Sequence, residues 1–105
     1  MTDTGLTASD IGLIVAAISA CEHVDEVLIF GSRAKGTHKP GSDVDLALKG
    51  DNLTYDDLLG LSAELNEYQP LPYMFDLVDY SHLDNPRLKA HIDRVGVLLF
   101  SREVQ

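Results

Sequence analysis

The spacing of apolar residues changes several times along this chain, and each change marks an element. Ile11, Ile14, Val15 and Ile18 recur three and four apart, as on one face of a helix. Thr7-x-x-Asp10 ahead of them matches a capping box, so the pattern predicts a helix over 7–22. Val27-Leu28-Ile29-Phe30 is a short apolar run stopped by Gly31, the mark of a buried strand. Further on the period becomes two: Val44, Leu46 and Leu48 alternate with Asp43, Asp45 and Ala47, which predicts a second strand with the carboxylates on the face away from the core. Gly50-Asp51-Asn52 reads as a turn. Thr54-x-x-Asp57 is a second capping box, and Leu58, Leu61 and Leu65 form the buried stripe of a helix reaching about Tyr68. Gln69-Pro70-Leu71-Pro72 breaks it, and Tyr73–Tyr80 is a third strand. Asn85-Pro86 pairs a cap with a first-turn proline. The helix that follows (87–95) turns Leu88, Ile92 and Val95 inward and ends at Gly96; Val97–Phe100 is the last strand.

The order helix, strand, strand, helix, strand, helix, strand leaves only a short connection between the first two strands. That predicts an α+β fold, a mixed sheet of about four strands covered by helices, rather than an all-parallel sheet. A chain of 105 residues has material for one modest core, so residues 1–105 are read as a single domain.

Charge narrows the function. A formal net charge of −9 speaks against a surface built to bind nucleic acid, which needs a basic face. The Lys and Arg residues are unevenly placed: none in 1–32, none in 50–86, and Arg33, Lys35, Lys39 and Lys49 together in between. Cys21 is the only cysteine, which excludes an intrachain disulfide; it is expected on the apolar side of the first helix. The acidic, polar start does not resemble a signal peptide and no apolar run is long enough to span a membrane, so a cytoplasmic location is expected. His23, His38, His82 and His91 lack the spacing of a zinc site and read as surface residues.

The chemistry concentrates between residues 27 and 48. Gly31 permits a sharp turn and a close approach of the backbone to a ligand. Ser32 adds a hydroxyl and an N–H, and residues 33–36 can open a helical turn whose free N–H groups point at an anion. Ten residues separate Ser32 from Asp43. Two carboxylates on one strand face repel unless a cation lies between them, and all-oxygen ligation suits a hard divalent ion such as Mg²⁺. Twelve aspartates make one Asp-x-Asp unsurprising by itself; the specificity lies in strand, Gly-Ser, ten residues, Asp-x-Asp, strand. A P-loop is excluded, because Gly36 is followed by Thr37-His38 rather than Lys and a hydroxyl residue.

That joint pattern, Gly31-Ser32-Arg33-Ala34-Lys35-Gly36 … Ser42-Asp43-Val44-Asp45-Leu46, resembles the nucleotidyltransferase superfamily that includes DNA polymerase beta. It looks most like the minimal nucleotidyltransferases of bacteria and archaea. The resemblance implies a polymerase beta palm-like fold and transfer of a nucleoside monophosphate, AMP from ATP above all. Two Mg²⁺ ions would be held by Asp43 and Asp45, with a third carboxylate from a neighbouring strand. Asp76, in its Asp-Leu-Val-Asp setting, fits that place, while Asp79 falls on the opposite face. Gly31 and Ser32 would hold phosphates, with Arg33 and Lys35 supplying charge. The resemblance also implies a helical HEPN partner (higher eukaryotes and prokaryotes nucleotide-binding). The chain would then act as an antitoxin in a hetero-oligomer, adenylylating a tyrosine of a HEPN toxin. Two other readings stay open: an idle module that neutralises its partner by occlusion, and a subunit of a small-molecule (antibiotic) nucleotidyltransferase.

Overall fold

The computed structural model describes residues 4–39 and 41–102. Its elements are α1 (Ala8–Ser19), β1 (Glu26–Phe30), α2 (Gly31–Lys35), β2 (Val44–Lys49), α3 (Tyr55–Ala63), β3 (Phe75–Asp79), α4 (Pro86–Val95) and β4 (Val97–Ser101). A π-helical turn, Glu64–Tyr68, continues α3, and a 3₁₀ turn, Tyr80–His82, follows β3. The fold is α+β: one mixed sheet in the order β3-β2-β1-β4. β1 pairs antiparallel with β2 and β4, whereas β2 and β3 run parallel.

Strand alternation divides the interior into two layers. Val27, Ile29, Val44, Leu46 and Leu48 meet Ile14 and Ile18 of α1, Leu61 of α3 and Leu65 of the π turn. On the other face Phe30 and Ala47 pack with Ile92 of α4. Burying each of these large aliphatic side chains is worth about 1.5–3 kcal/mol, so both faces are committed to their helices.

Both capping boxes form. Thr7 and Asp10 exchange hydrogen bonds at the start of α1, as do Thr54 and Asp57 at the start of α3. Each such cap contributes about 1 kcal/mol. The first helix ends at Ser19, three residues before the expected end. There Arg102, arriving after β4, donates to the carbonyls of Ser19, Cys21 and Val24 and satisfies groups a longer helix would have paired. Cys21 therefore lies beyond α1, half-buried against the larger core layer. No helix among the described residues is long and apolar enough to cross a membrane.

Candidate active site

Two of the three predicted carboxylates lie on β2 and immediately before it. Because Val44, Leu46 and Leu48 are taken by the larger core layer, Asp45 must project to the α4 side, with Asp43 just ahead of it. β3 supplies the third. In the parallel register Asp45 pairs with Asp76, and in the antiparallel register the same Asp45 pairs with Phe30, the last residue of β1. Asp76 and Asp43 are exposed, whereas Asp45 is half-buried.

Asp45 carries the electrostatic signature of the site. Its carboxyl is held above the usual carboxylate range, first by burial and then by the negative charges of Asp76 and Asp43; His91 pulls the other way. A cluster that resists its own ionisation is one that a cation would stabilise, and three carboxylates offer a hard divalent ion the oxygen donors it prefers.

Gly31 ties the turn to these carboxylates. It has φ +75°, and a Cβ there would collide with Oδ2 of Asp45. The carboxylate thus lies against the glycine, in space that any other residue would fill. From Gly31 the chain enters α2, whose N-cap position is Phe30; an aromatic side chain cannot cap, and no side-chain bond caps this helix. Gly36, in the left-handed region at φ +75°, ends it. Ser32 is half-buried in the first turn and Lys35 is exposed in the last.

Arg33, expected from the sequence as a source of charge for phosphates, is built into the fold. The residue is 2% exposed. The guanidinium donates to the carbonyl of Ser42 through Nε and Nη2 (3.2 and 2.8 Å) and to that of Thr4 through Nη1 (2.7 Å). It also stacks 4.9 Å from the centre of the Tyr73 ring. Arg33 therefore anchors the loop that leads into Asp43. Asp79 lies on the face opposite Asp76, as its odd spacing predicts. Its carboxylate accepts from the backbone N–H of His82 and bonds the His82 ring at 2.9 Å.

Two residues near the site were not singled out in the sequence. His91, read there as a surface histidine, is half-buried and sets its ring edge-on to Phe30, with centroids 6.2 Å apart, close enough to Asp45 to favour its ionised form. Its position one residue before the buried Ile92 was the available signal. Asn66 sits in the π turn, where the widened helix lets its amide reach the strand. Its Oδ1 accepts from Phe75 N (2.7 Å) and its Nδ2 donates to Phe75 O (3.1 Å). That two-point grip fixes the backbone immediately before Asp76.

The chain matches the family model described as "Polymerase beta, Nucleotidyltransferase" over residues 12–105. Its fold is similar to a crystal structure described as a toxin–antitoxin with AMP-PNP, at 22% identity and a TM-score of 0.75, covering 90% of this chain and 75% of that one. It is also similar to the toxin–antitoxin MntA-HepT, at 18% identity and a TM-score of 0.71, covering 90% of this chain and 73% of that one. At such identities the likeness is one of fold. Comparison with curated proteins finds no match.

Proposed function

The chain belongs to the polymerase beta nucleotidyltransferase family, and on that premise we propose that it transfers AMP from ATP to a hydroxyl of a protein partner, as an antitoxin acting on a toxin. The observation that carries this reading is Asp45 lying against Gly31, with Asp76 opposite it on β3 and the negative charges of both Asp76 and Asp43 acting on it. The donor set suits Mg²⁺, and the three aspartates are the residues that would hold two such ions. When bound, Mg²⁺ neutralises charge on the phosphates and on the departing pyrophosphate.

The rest is the work of this chain. Gly31 and Ser32 hold the β- and γ-phosphates through N–H groups and the hydroxyl, and Lys35 adds charge. The acceptor oxygen attacks the α-phosphorus, the bond to the β-phosphate oxygen breaks, and pyrophosphate leaves in line. Asp76, exposed on the edge strand, receives the acceptor's proton. Positioning and charge, not a covalent intermediate, supply the rate.

The acceptor is assigned to a partner because Asp43 and Asp76 are open to solvent and the covering helices are already spent on the two core layers. A tyrosine on a HEPN-type helical toxin is the favoured acceptor. The two toxin–antitoxin neighbours support this reading, one of them described with an ATP analogue. Cytoplasmic action follows from it. The test is to incubate the protein with ATP, Mg²⁺ and the product of the adjacent gene, then weigh that product by mass spectrometry. The expected result is a gain of one AMP that disappears with Asp43→Asn. Neutralisation of the partner with no mass change, by wild type and variant alike, would refute transfer and leave occlusion as the activity.

A further inference from the structure

The second chemically distinctive cluster lies on the opposite face of the sheet, at the other end of β2. α1 stops at Ser19, and the turn after it carries Cys21 and His23; the capping aspartate of α3, Asp57, comes up beside them. One ligand atom from each of Cys21, His23 and Asp57 lies within 4.8 Å of the others. His23 Nδ1 and Asp57 Oδ2 are 2.7 Å apart. A cleft of about 610 Å³ opens onto the cluster between α1 and α3, lined by Ala16, Ala20, Cys21, Asp57 and Gly60 among others. Its small side chains leave the thiol and the carboxylate reachable from solvent.

From these observations we propose that Cys21, His23 and Asp57 form a second metal site, selective for a borderline-soft divalent ion such as Zn²⁺ and separate from the aspartates of the active site. The donor types set the selectivity. Thiolate, imidazole and carboxylate are zinc ligands, with bonds of about 2.0–2.3 Å, and a tetrahedral ion spaces them about 3.5 Å apart. Mg²⁺, which wants oxygen donors in an octahedron, has no use for the thiol. Three protein ligands leave a fourth position facing the cleft, for water or a donor from another molecule.

The surroundings favour a cation. The 37-residue stretch 50–86, which contributes Asp57, has no Lys or Arg, nor does the stretch 1–32, which contributes the other two ligands. Glu22 and Asp56 stand beside the ligands in sequence. The guanidinium of Arg102 is near, but it is engaged with the main-chain carbonyls of Ser19, Cys21 and Val24, not with the three side chains. Without metal, His23 Nδ1 and Asp57 Oδ2 share a proton in a hydrogen bond of 2.7 Å, at an oxygen that also accepts from the Thr54 N–H. The metal ion takes the place of that shared proton and recruits the thiol as a thiolate. Once bound, it joins the end of α1 to the start of α3, behind the sheet that carries the catalytic aspartates.

Cobalt(II) tests the site directly, because a Co²⁺–thiolate bond produces a charge-transfer absorption in the near ultraviolet that oxygen ligands do not. Titrating full-length, metal-stripped protein with Co²⁺ is expected to produce that band with an endpoint at one ion per chain, and Zn²⁺ should bleach it. Cys21→Ser should abolish the band, and His23→Ala should weaken Co²⁺ binding at least tenfold. The double variant Asp43→Asn, Asp45→Asn should keep both the band and its endpoint. Circular dichroism of each metal-free variant checks that it is folded; Asp57→Asn is avoided because it also disturbs the capping box. No band in the folded wild type, a band that survives Cys21→Ser, or one lost with the Asp43/Asp45 variant would each overturn the proposal. None of these readouts depends on nucleotidyl transfer, so the site stands or falls apart from the function proposed above.

Discussion

Gly31→Ala separates what the turn does for the fold from what it does for the site. At φ +75° an alanine costs about 1–2 kcal/mol, because its Cβ crowds the following carbonyl. That Cβ also enters the space of Asp45 Oδ2. The carboxylate is the far end of a short side chain and can turn away, at about 0.5–1.5 kcal/mol for leaving its rotamer. Gly41→Ala is the matched control: φ is +82° and nothing lies within 4 Å of the added atom, so only the backbone term applies. Urea unfolding should therefore find Gly31→Ala less stable than Gly41→Ala by about 1 kcal/mol, both variants remaining folded. Function should divide them far more sharply. A carboxylate displaced by about 1 Å loses on the order of 100-fold in rate. Calorimetric titration with Mg-ATP, and transfer where the partner is in hand, should show Gly31→Ala severely impaired and Gly41→Ala close to wild type. Wild-type binding and turnover by Gly31→Ala would refute the claim that this glycine makes room for Asp45.

Asp45→Asn should abolish transfer yet stabilise the apo protein near neutral pH. The sign follows from its raised folded pKa: the native state holds its proton more tightly than the unfolded chain, so wild-type stability falls as pH rises above about 3.8, and the asparagine variant should lose that part of the slope in denaturation curves taken across the acid range. Arg33→Ala should cost about 3 kcal/mol in urea unfolding, because three hydrogen bonds from a buried guanidinium to the half-buried carbonyls of Ser42 and Thr4 go with it, and Arg33→Lys should not restore them. Lys35→Ala, by contrast, should leave the unfolding midpoint unchanged and weaken Mg-ATP binding several-fold by calorimetry. Asp79→Asn should be near silent in transfer assays, since its carboxylate serves the His82 turn; a dead Asp79→Asn beside an active Asp76→Asn would reverse the assignment of the two.

What could be read in advance was what local rules govern. Each capping box lies within four residues, and strand alternation needs only the neighbours, so Thr7, Thr54 and the facing of Asp45 away from Val44 and Leu46 were legible without a tertiary structure. Asp76 was legible too, through its apolar neighbours and the family pattern, although its pairing with Asp45 depends on a parallel crossover. The rest depended on contacts between distant segments. Arg33 reads as a ligand contact because its neighbours in sequence are a phosphate-type motif; only the fold brings Thr4 and Tyr73 around it. His91 is set by the way α4 lies over β1. Asn66 has no local signal at all, since its use depends on a widened helical turn meeting Phe75. Cys21 and His23 lie 34 or more residues from Asp57, and their separation from one another matches no zinc motif.

The sheet order gives the three aspartates unequal security. β2 is held by strands on both sides, but β3 lies at the margin and, among the described residues, pairs with β2 alone. Asp76 therefore rides on the strand that can open without the protein unfolding, restrained at its start by the Asn66 amide. As temperature rises, the site should come apart in order, losing its third carboxylate while the first two keep their places. Hydrogen exchange would record this as β3 amides exchanging ahead of those in β1 and β2, and activity would fade well below the melting temperature. Any molecule that covers the free margin of β3 would hold that strand shut, and would thereby keep the third carboxylate in place beside the other two.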